Sequence, residues 1–142
     1  MTSSCLIAID GSEPSARAVD HAITDAASRK QSPHLYLVNV QPALSSNVTR
    51  FIDNKTVDDF QHETGEQDLA VAKAKLTAAG LTFSSHILVG EAAPSIVDFA
   101  KQKDCSMIIM GAHGFGSVVG LFMGSVTVKV VHLSPVPVLL VK

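Results

Sequence analysis

The sequence predicts an α/β fold: a three-layer sandwich with a five-stranded parallel sheet covered by helices on both faces. Three observations carry this. Short continuous apolar runs recur at Cys5–Ile9, Leu35–Val40, Met107–Met110 and Val136–Val141, as in strands buried on both sides. Amphipathic segments of helical period separate them, the alternation of parallel crossover units. The 142 residues are 46% hydrophobic, enough to build a full core and too apolar for disorder. One domain over residues 1–142 is expected, with no internal repeat and no linker.

The elements follow in order. After the strand Cys5–Ile9, Asp10-Gly11-Ser12 is turn chemistry. Ser12 can cap a helix whose first turn holds Glu13 and Pro14. Ala16, Val19, Ile23 and Ala26 or Ala27 continue it at helical spacing to about Lys30. Leu35–Val40 is the second strand, stopped by Pro42, and residues 41–56 lack a clear period and read as a long loop. Val57–Ala79 reads as a long amphipathic helix ending at Gly80. Leu81–Val89 is the third strand, with Phe83, Ile87 and Val89 on one parity. A helix follows from Glu91 to about Lys101, then the fourth strand, Met107–Met110. Val126–Leu133 is ambiguous. Its β-branched residues favour a strand by propensity, while Ser125 before it and Ser134-Pro135 after it suit a short helix. Val136–Val141 is the fifth strand.

Charge narrows the function classes. The net charge of −2 leaves no basic footprint, so nucleic acid is not an expected partner. Of the 11 basic and 13 acidic residues, all but Lys129 and Lys142 lie before Cys105. The uncharged stretch Cys105–Val128 is nevertheless not a membrane span. Five glycines (111, 114, 116, 120 and 124) interrupt it, and its longest apolar pieces are Met107–Met110 and Val118–Phe122. The N-terminus shows neither a basic start nor a long apolar segment, so no secretion signal is read and the cytoplasm is the expected compartment. Cys5 and Cys105 have neither metal-ligand nor redox-motif spacing and are expected as two buried thiols. His21, His34, His62, His86 and His132 are scattered and read as surface or structural residues.

In a parallel sheet, ligands sit beyond the carboxyl ends of the strands near the point where strand order reverses. The loops of interest are Asp10–Ser12, Asn39–Gln41 and Gly111–Gly124. The last begins Met110-Gly-Ala-His-Gly-Phe-Gly-Ser117 and closes on Gly124-Ser125. Its glycines permit close backbone approach, and successive N–H groups can turn onto an anion. A helix starting at Gly124-Ser125 would add free N–H donors. This is a phosphate cradle without lysine, or else a loop that is glycine-rich for packing. Neither the lysine-containing phosphate loop nor the dinucleotide fingerprint fits its spacing. Asp10, at the end of the first strand, is either an Asx-turn cap or a contact to a Mg²⁺ ion or a ribose hydroxyl.

Gly111, Gly114, Gly124 and Ser125 together form Gly-x2-Gly-x9-Gly-Ser, which resembles the ATP-binding signature of the universal stress protein family. The likeness spans the chain: Ile7-Ala-Ile-Asp-Gly-Ser12, Leu35–Val40, Gly90-Glu91 with Ser95-Ile96, Met107–Gly111 and Ser134–Val141 match family segments in order. The resemblance implies a Rossmann-like nucleotide-binding fold and a helix at Val126–Leu133, and this replaces the propensity reading. It implies Asp10 near the ribose or a metal ion and Ala8 lining the pocket. Val40 would contact adenine through its backbone, and Met110 would head the loop. Gly111, His113 and Gly114 would wrap ribose and phosphates, with Gly116, Ser117, Gly124, Ser125 and Val126 completing the cradle. It also implies a homodimer through Val138–Val141. Asn39 stands where many members have histidine, and Cys105 precedes Ser106 where acidic residues are common.

The expected function is that of an ATP-binding regulator in stress response, with Mg²⁺ alongside ATP and with ADP or AMP as alternative ligands. An unidentified protein partner fits such a role. An interaction adaptor with a vestigial pocket and a slow ATP hydrolase are the alternatives. Efficient catalysis is not expected, because no lysine or arginine lies between Cys105 and Val128 to stabilise a transferring phosphoryl group. A phosphorelay receiver is excluded by the absence of an aspartate at Val89-Gly90-Glu91. A flavodoxin is excluded because Asp10 and Glu13 occupy the loop where its phosphate would sit.

Overall fold

The computed structural model describes residues 3–114 and 123–142. Five strands, β1 (Ser4–Ala8), β2 (His34–Gln41), β3 (Phe83–Val89), β4 (Met107–Gly111) and β5 (Val138–Val141), form one sheet in the order β3-β2-β1-β4-β5. All four pairings are parallel. The helices are α1 (Glu13–Ala27), α2 (Ser46–Thr49), α3 (Asn54–Ala78), α4 (Ala92–Gln102) and α5 (Ser125–Leu133). The three-layer α/β architecture expected from the sequence is the one observed.

Alternate side chains enter two cores, because successive strand residues point to opposite faces. Cys5, Ile7, Leu35, Leu37 and Ile109 pack with α1 and α3 through Val19, Ala22, Leu69 and Leu76. Leu6, Ala8, Val38, Ile108 and Met110 pack with α4 and α5 through Ile96, Val97, Ala100 and Val130. The central strand β1 is buried on both faces, hence its unbroken apolar run.

Local chemistry sets the ends. Ser12 is the N-cap of α1, with Pro14 in its first turn. Helix α3 starts at Asn54, one turn before the first apolar residue of its periodic face, because Asp53 caps it by accepting from Thr56 N at 2.7 Å. At its other end Gly80 adopts φ +70°. The bonds Gly80 N→Thr77 O and Leu81 N→Leu76 O form a Schellman motif. The stretch expected as a loop contains the short helix α2, and β2 runs one residue further, to Gln41. Gly65 sits mid-helix in α3 because a Cβ there would fall within 2.9 Å of Ile87 side-chain atoms.

The segment of conflicting propensity is the helix α5. Two parallel neighbours, β4 and β5, must be joined by a crossover over one sheet face, so tertiary context overrides β-branching. Thr127 and Val130 face inward, and Ser134 N→Val130 O at 2.9 Å closes the last turn before Pro135.

Candidate functional site

From β1 the chain moves outward to β2 and β3, then returns past β1 to β4 and β5. The carboxyl ends of β1 and β4 therefore lead their loops apart, and a crevice opens between them. It holds a cavity of about 310 Å³, at the small end of the roughly 300–1,000 Å³ common for ligand sites.

Its lining is of two kinds, and the apolar residues are Ala8, Val38, Val40, Ala92, Ile96 and Met110. The polar and glycine residues are Asp10, Ser15, Gly111, His113, Gly114, Gly124, Ser125 and Thr127. Ile9 and Val126 complete the lining. Every described residue that the sequence reading singled out for the site is among these. Gly116 and Ser117 lie outside the described residues. The sequence reading missed Ile9, Ser15, Val38, Ala92, Ile96 and Thr127. Parity with Val40 was the available signal for Val38, and helical spacing from Ala92 to Ile96 the signal for α4, but apolar residues there also read as plain core.

Asp10 carries the Asx turn. Its Oδ1 accepts from Ser12 N at 2.9 Å and from the Ser12 hydroxyl. Ser12 Oγ in turn accepts from Ser15 N, and Ser15 Oγ donates to Ser12 O at 2.9 Å. The second oxygen of Asp10 abuts Gly114, where any Cβ would overlap Oδ2. One carboxylate thus organises the β1–α1 turn and forms part of the cavity wall. Among the described residues, no group of three His, Cys, Asp or Glu side chains could hold a metal ion.

The fourth-strand loop folds back onto itself. Ala112 N donates to Val141 O and Gly124 N to Ala112 O, both at 2.8 Å, and Thr127 Oγ1 donates to Gly111 O at 3.2 Å. These bonds bring the start of α5 to the cavity. Gly124 is its N-cap and offers no side chain, and Val128 N→Gly124 O is the first intrahelical bond. The N–H groups of Ser125, Val126 and Thr127 therefore have no acceptor within the helix. Among the described residues, no lysine or arginine lines the cavity.

The three glycines differ in what they permit. A Cβ on Gly111 would lie 2.7 Å from Pro14 Cβ and 2.8 Å from Pro14 C, so this glycine lets β4 pass the first turn of α1. Gly114 leaves room for the Asp10 carboxylate. A Cβ on Gly124 would meet its nearest described atoms at 3.7 Å, an ordinary contact, and its φ of −72° suits any residue.

Other titratable groups lie apart from the cavity. His34 Nε2 and His86 Nε2 each lie 3.2 Å from Ser84 Oγ, packed with Tyr36 and Phe99. Burial, then the positive charges of Lys103 and His34, lowers the His86 pKa. Cys5 and Cys105 are both buried free thiols, and burial raises both pKa values. Among the described residues, no helix is long and apolar enough to cross a membrane.

Comparison with known proteins agrees with this geometry. The model of the universal stress protein family matches residues 1–142. The chain is 31% identical over 150 residues to universal stress protein YxiE of Bacillus subtilis, covering 100% of both. The fold of MJ0577 of Methanocaldococcus jannaschii superposes with a TM-score of 0.84 at 26% identity, covering 100% of this chain and 96% of that one. More distant in sequence is a universal stress protein from Archaeoglobus fulgidus in complex with dAMP. Its TM-score is 0.70 at 23% identity, covering 100% of this chain and 98% of that one. Another, from Arabidopsis thaliana with AMP bound, has a TM-score of 0.70 at 16% identity, covering 99% and 91%. The full-length family match, the relative of equal extent and the shared fold lead to one assignment: the chain belongs to the universal stress protein family.

Proposed function

We propose that the chain is a cytoplasmic regulator that binds an adenine nucleotide in the cavity between β1 and β4, with ATP and Mg²⁺ as the working ligands and ADP or AMP as alternatives. The observation that carries this reading is Gly124. Among the described residues it has room for a methyl group and an unstrained backbone, so no described packing contact demands glycine there. A ligand approaching the N–H groups of Ser125 and Val126 does, because a side chain at the N-cap would block that approach. The apolar lining residues suit a purine base, and the glycines and free helix N–H groups suit phosphates. The relatives with AMP and dAMP support the same ligand class.

Asp10 fits a Mg²⁺ ion, since magnesium commonly takes one or two carboxylates and draws its remaining ligands from phosphates and water. When bound, the ion would screen the repulsion between the Asp10 carboxylate and the phosphates. The cradle holds rather than cuts. With no lysine or arginine lining it among the described residues, charge building on a transferring phosphoryl group lacks a permanently cationic partner. A turnover above about 1 s⁻¹, the low end for typical enzymes, would contradict that.

Dimerisation is the proposed output. Among the described residues β5 pairs only with β4, and Val138, Leu139, Leu140 and Val141 form a half-exposed apolar edge that a second copy would cover. Sedimentation of the wild-type chain and of Leu140→Lys, with and without ATP, checks this. A monomeric wild type in both conditions would exclude it. Nucleotide content after gentle purification, read by mass spectrometry with and without Mg²⁺, tests the binding reading itself.

A further inference from the structure

The turn that carries Asp10 is braced from the sheet face away from the cavity. Asn39, 1% exposed, has opposite parity to Val38 and Val40 and points toward α3. Its Nδ2 donates to Ile9 O at 2.9 Å and to Asp68 Oδ2 at 3.1 Å. Gln41 Nε2 donates to Asn39 Oδ1 at 2.7 Å and to the same Asp68 oxygen at 3.2 Å. The other Asp68 oxygen lies against Gly11. A Cβ on Gly11 would fall 2.8 Å from Oδ1 and 3.3 Å from Asp68 Cα, and Gly11 holds φ +83°. One carboxylate on α3 therefore reaches both sides of Asp10: the Ile9 carbonyl through Asn39, and the space beside Gly11 that a Cβ would fill.

We infer that Asp68 is a positioning residue: it braces the Ile9–Gly11 turn and so fixes where Asp10 stands in the cavity wall. The consequence for affinity rests on the nucleotide-binding reading. A wall group held in place before the ligand arrives costs no ordering on binding. Asp68 does this without touching the cavity. Removing its carboxylate leaves no buried amide without a partner, because Asn39 Nδ2 keeps Ile9 O and Gln41 Nε2 keeps Asn39 Oδ1. The fold survives. What disappears is the stop behind Gly11, and the turn can withdraw toward α3, taking Asp10 with it.

The test uses the full chain as wild type, Asp68→Ala and Asp68→Asn. Calorimetric titration with AMP gives affinity, and amide hydrogen exchange at Gly11 and Ser12 without nucleotide reports the turn. Asp68→Ala is expected to bind AMP about tenfold more weakly, the equivalent of one lost hydrogen bond at the site, and to exchange faster at Ser12. Asp68→Asn is expected to behave like wild type, because its amide oxygen accepts the same two N–H groups. Gly11→Ala is expected to lose more affinity in the wild-type background than in Asp68→Ala, since the added methyl collides with the carboxylate. Wild-type affinity and exchange in Asp68→Ala would overturn the inference, as would a lowered melting temperature with both unchanged. A wild type that binds no AMP would refute the nucleotide reading instead. The bracing role then stands or falls on whether exchange at Ser12 rises in Asp68→Ala.

Discussion

Replacing Gly111 with alanine tests whether this glycine serves packing. The new Cβ would lie 2.7 Å from Pro14 Cβ, 2.8 Å from Pro14 C and 3.0 Å from Pro14 O. These are backbone and ring atoms in the first turn of α1, and none is the far end of a flexible side chain. Either α1 or the end of β4 must move by several tenths of an ångström. Moving β4 strains the bonds Thr127 Oγ1→Gly111 O and Ala112 N→Val141 O, which tie α5 and β5 to it. Overpacking of this kind costs about 1–3 kcal/mol, or about 2–4 °C of melting temperature for each kcal/mol near this chain length. Urea denaturation and calorimetry of the ligand-free chain measure it. A Gly111→Ala chain within about 0.5 kcal/mol of wild type, the range of a neutral surface change, would refute the packing argument.

Gly124→Ala is expected to cost no more than about 1 kcal/mol of stability, as a poorer N-cap, while weakening AMP binding about tenfold or more; equal affinity would remove the main support for the phosphate cradle. For His86, whose ordinary value is 6.5, the folded pKa is lowered, so the unfolded chain takes up the proton first. Its contribution to stability is full above about pH 6.5 and is lost as pH falls from there toward the folded value. His86→Asn should therefore lose less stability than wild type between pH 7.5 and 5.5 in urea titrations, and an identical loss would count against this. Iodoacetamide at neutral pH is expected to modify neither Cys5 nor Cys105 until the chain unfolds, since both thiols are buried with raised pKa values. Labelling of the native chain, read by mass spectrometry, would show otherwise.

The sheet was legible because strands buried on both faces leave continuous apolar runs, as Cys5–Ile9 does. Helix ends were legible where one residue decides them, as Gly80 does for α3. α5 was not legible from propensity: Val126, Val128, Val130 and Val131 favour a strand, and only the crossover between parallel neighbours makes them helical. The resemblance supplied that information. The start of α3 was hidden because its cap, Asp53, precedes the apolar period by a turn. At the site, the glycine loop and Asp10 announce themselves by residue type. The reason for Gly111 does not, because it lies in Pro14, on the far side of the fold's connectivity. Asp68 was equally hidden, an ordinary acidic residue on a polar helix until Asn39, Gln41 and Gly11 are brought against it.

The most direct test of nucleotide binding is calorimetric titration of the purified, nucleotide-stripped chain with AMP and with ATP plus Mg²⁺, run beside Gly124→Ala. The account predicts saturable binding at one site per chain, lost or strongly weakened in a Gly124→Ala chain that remains folded at the temperature of the titration. No heat of binding at high micromolar nucleotide in a folded wild type would contradict it.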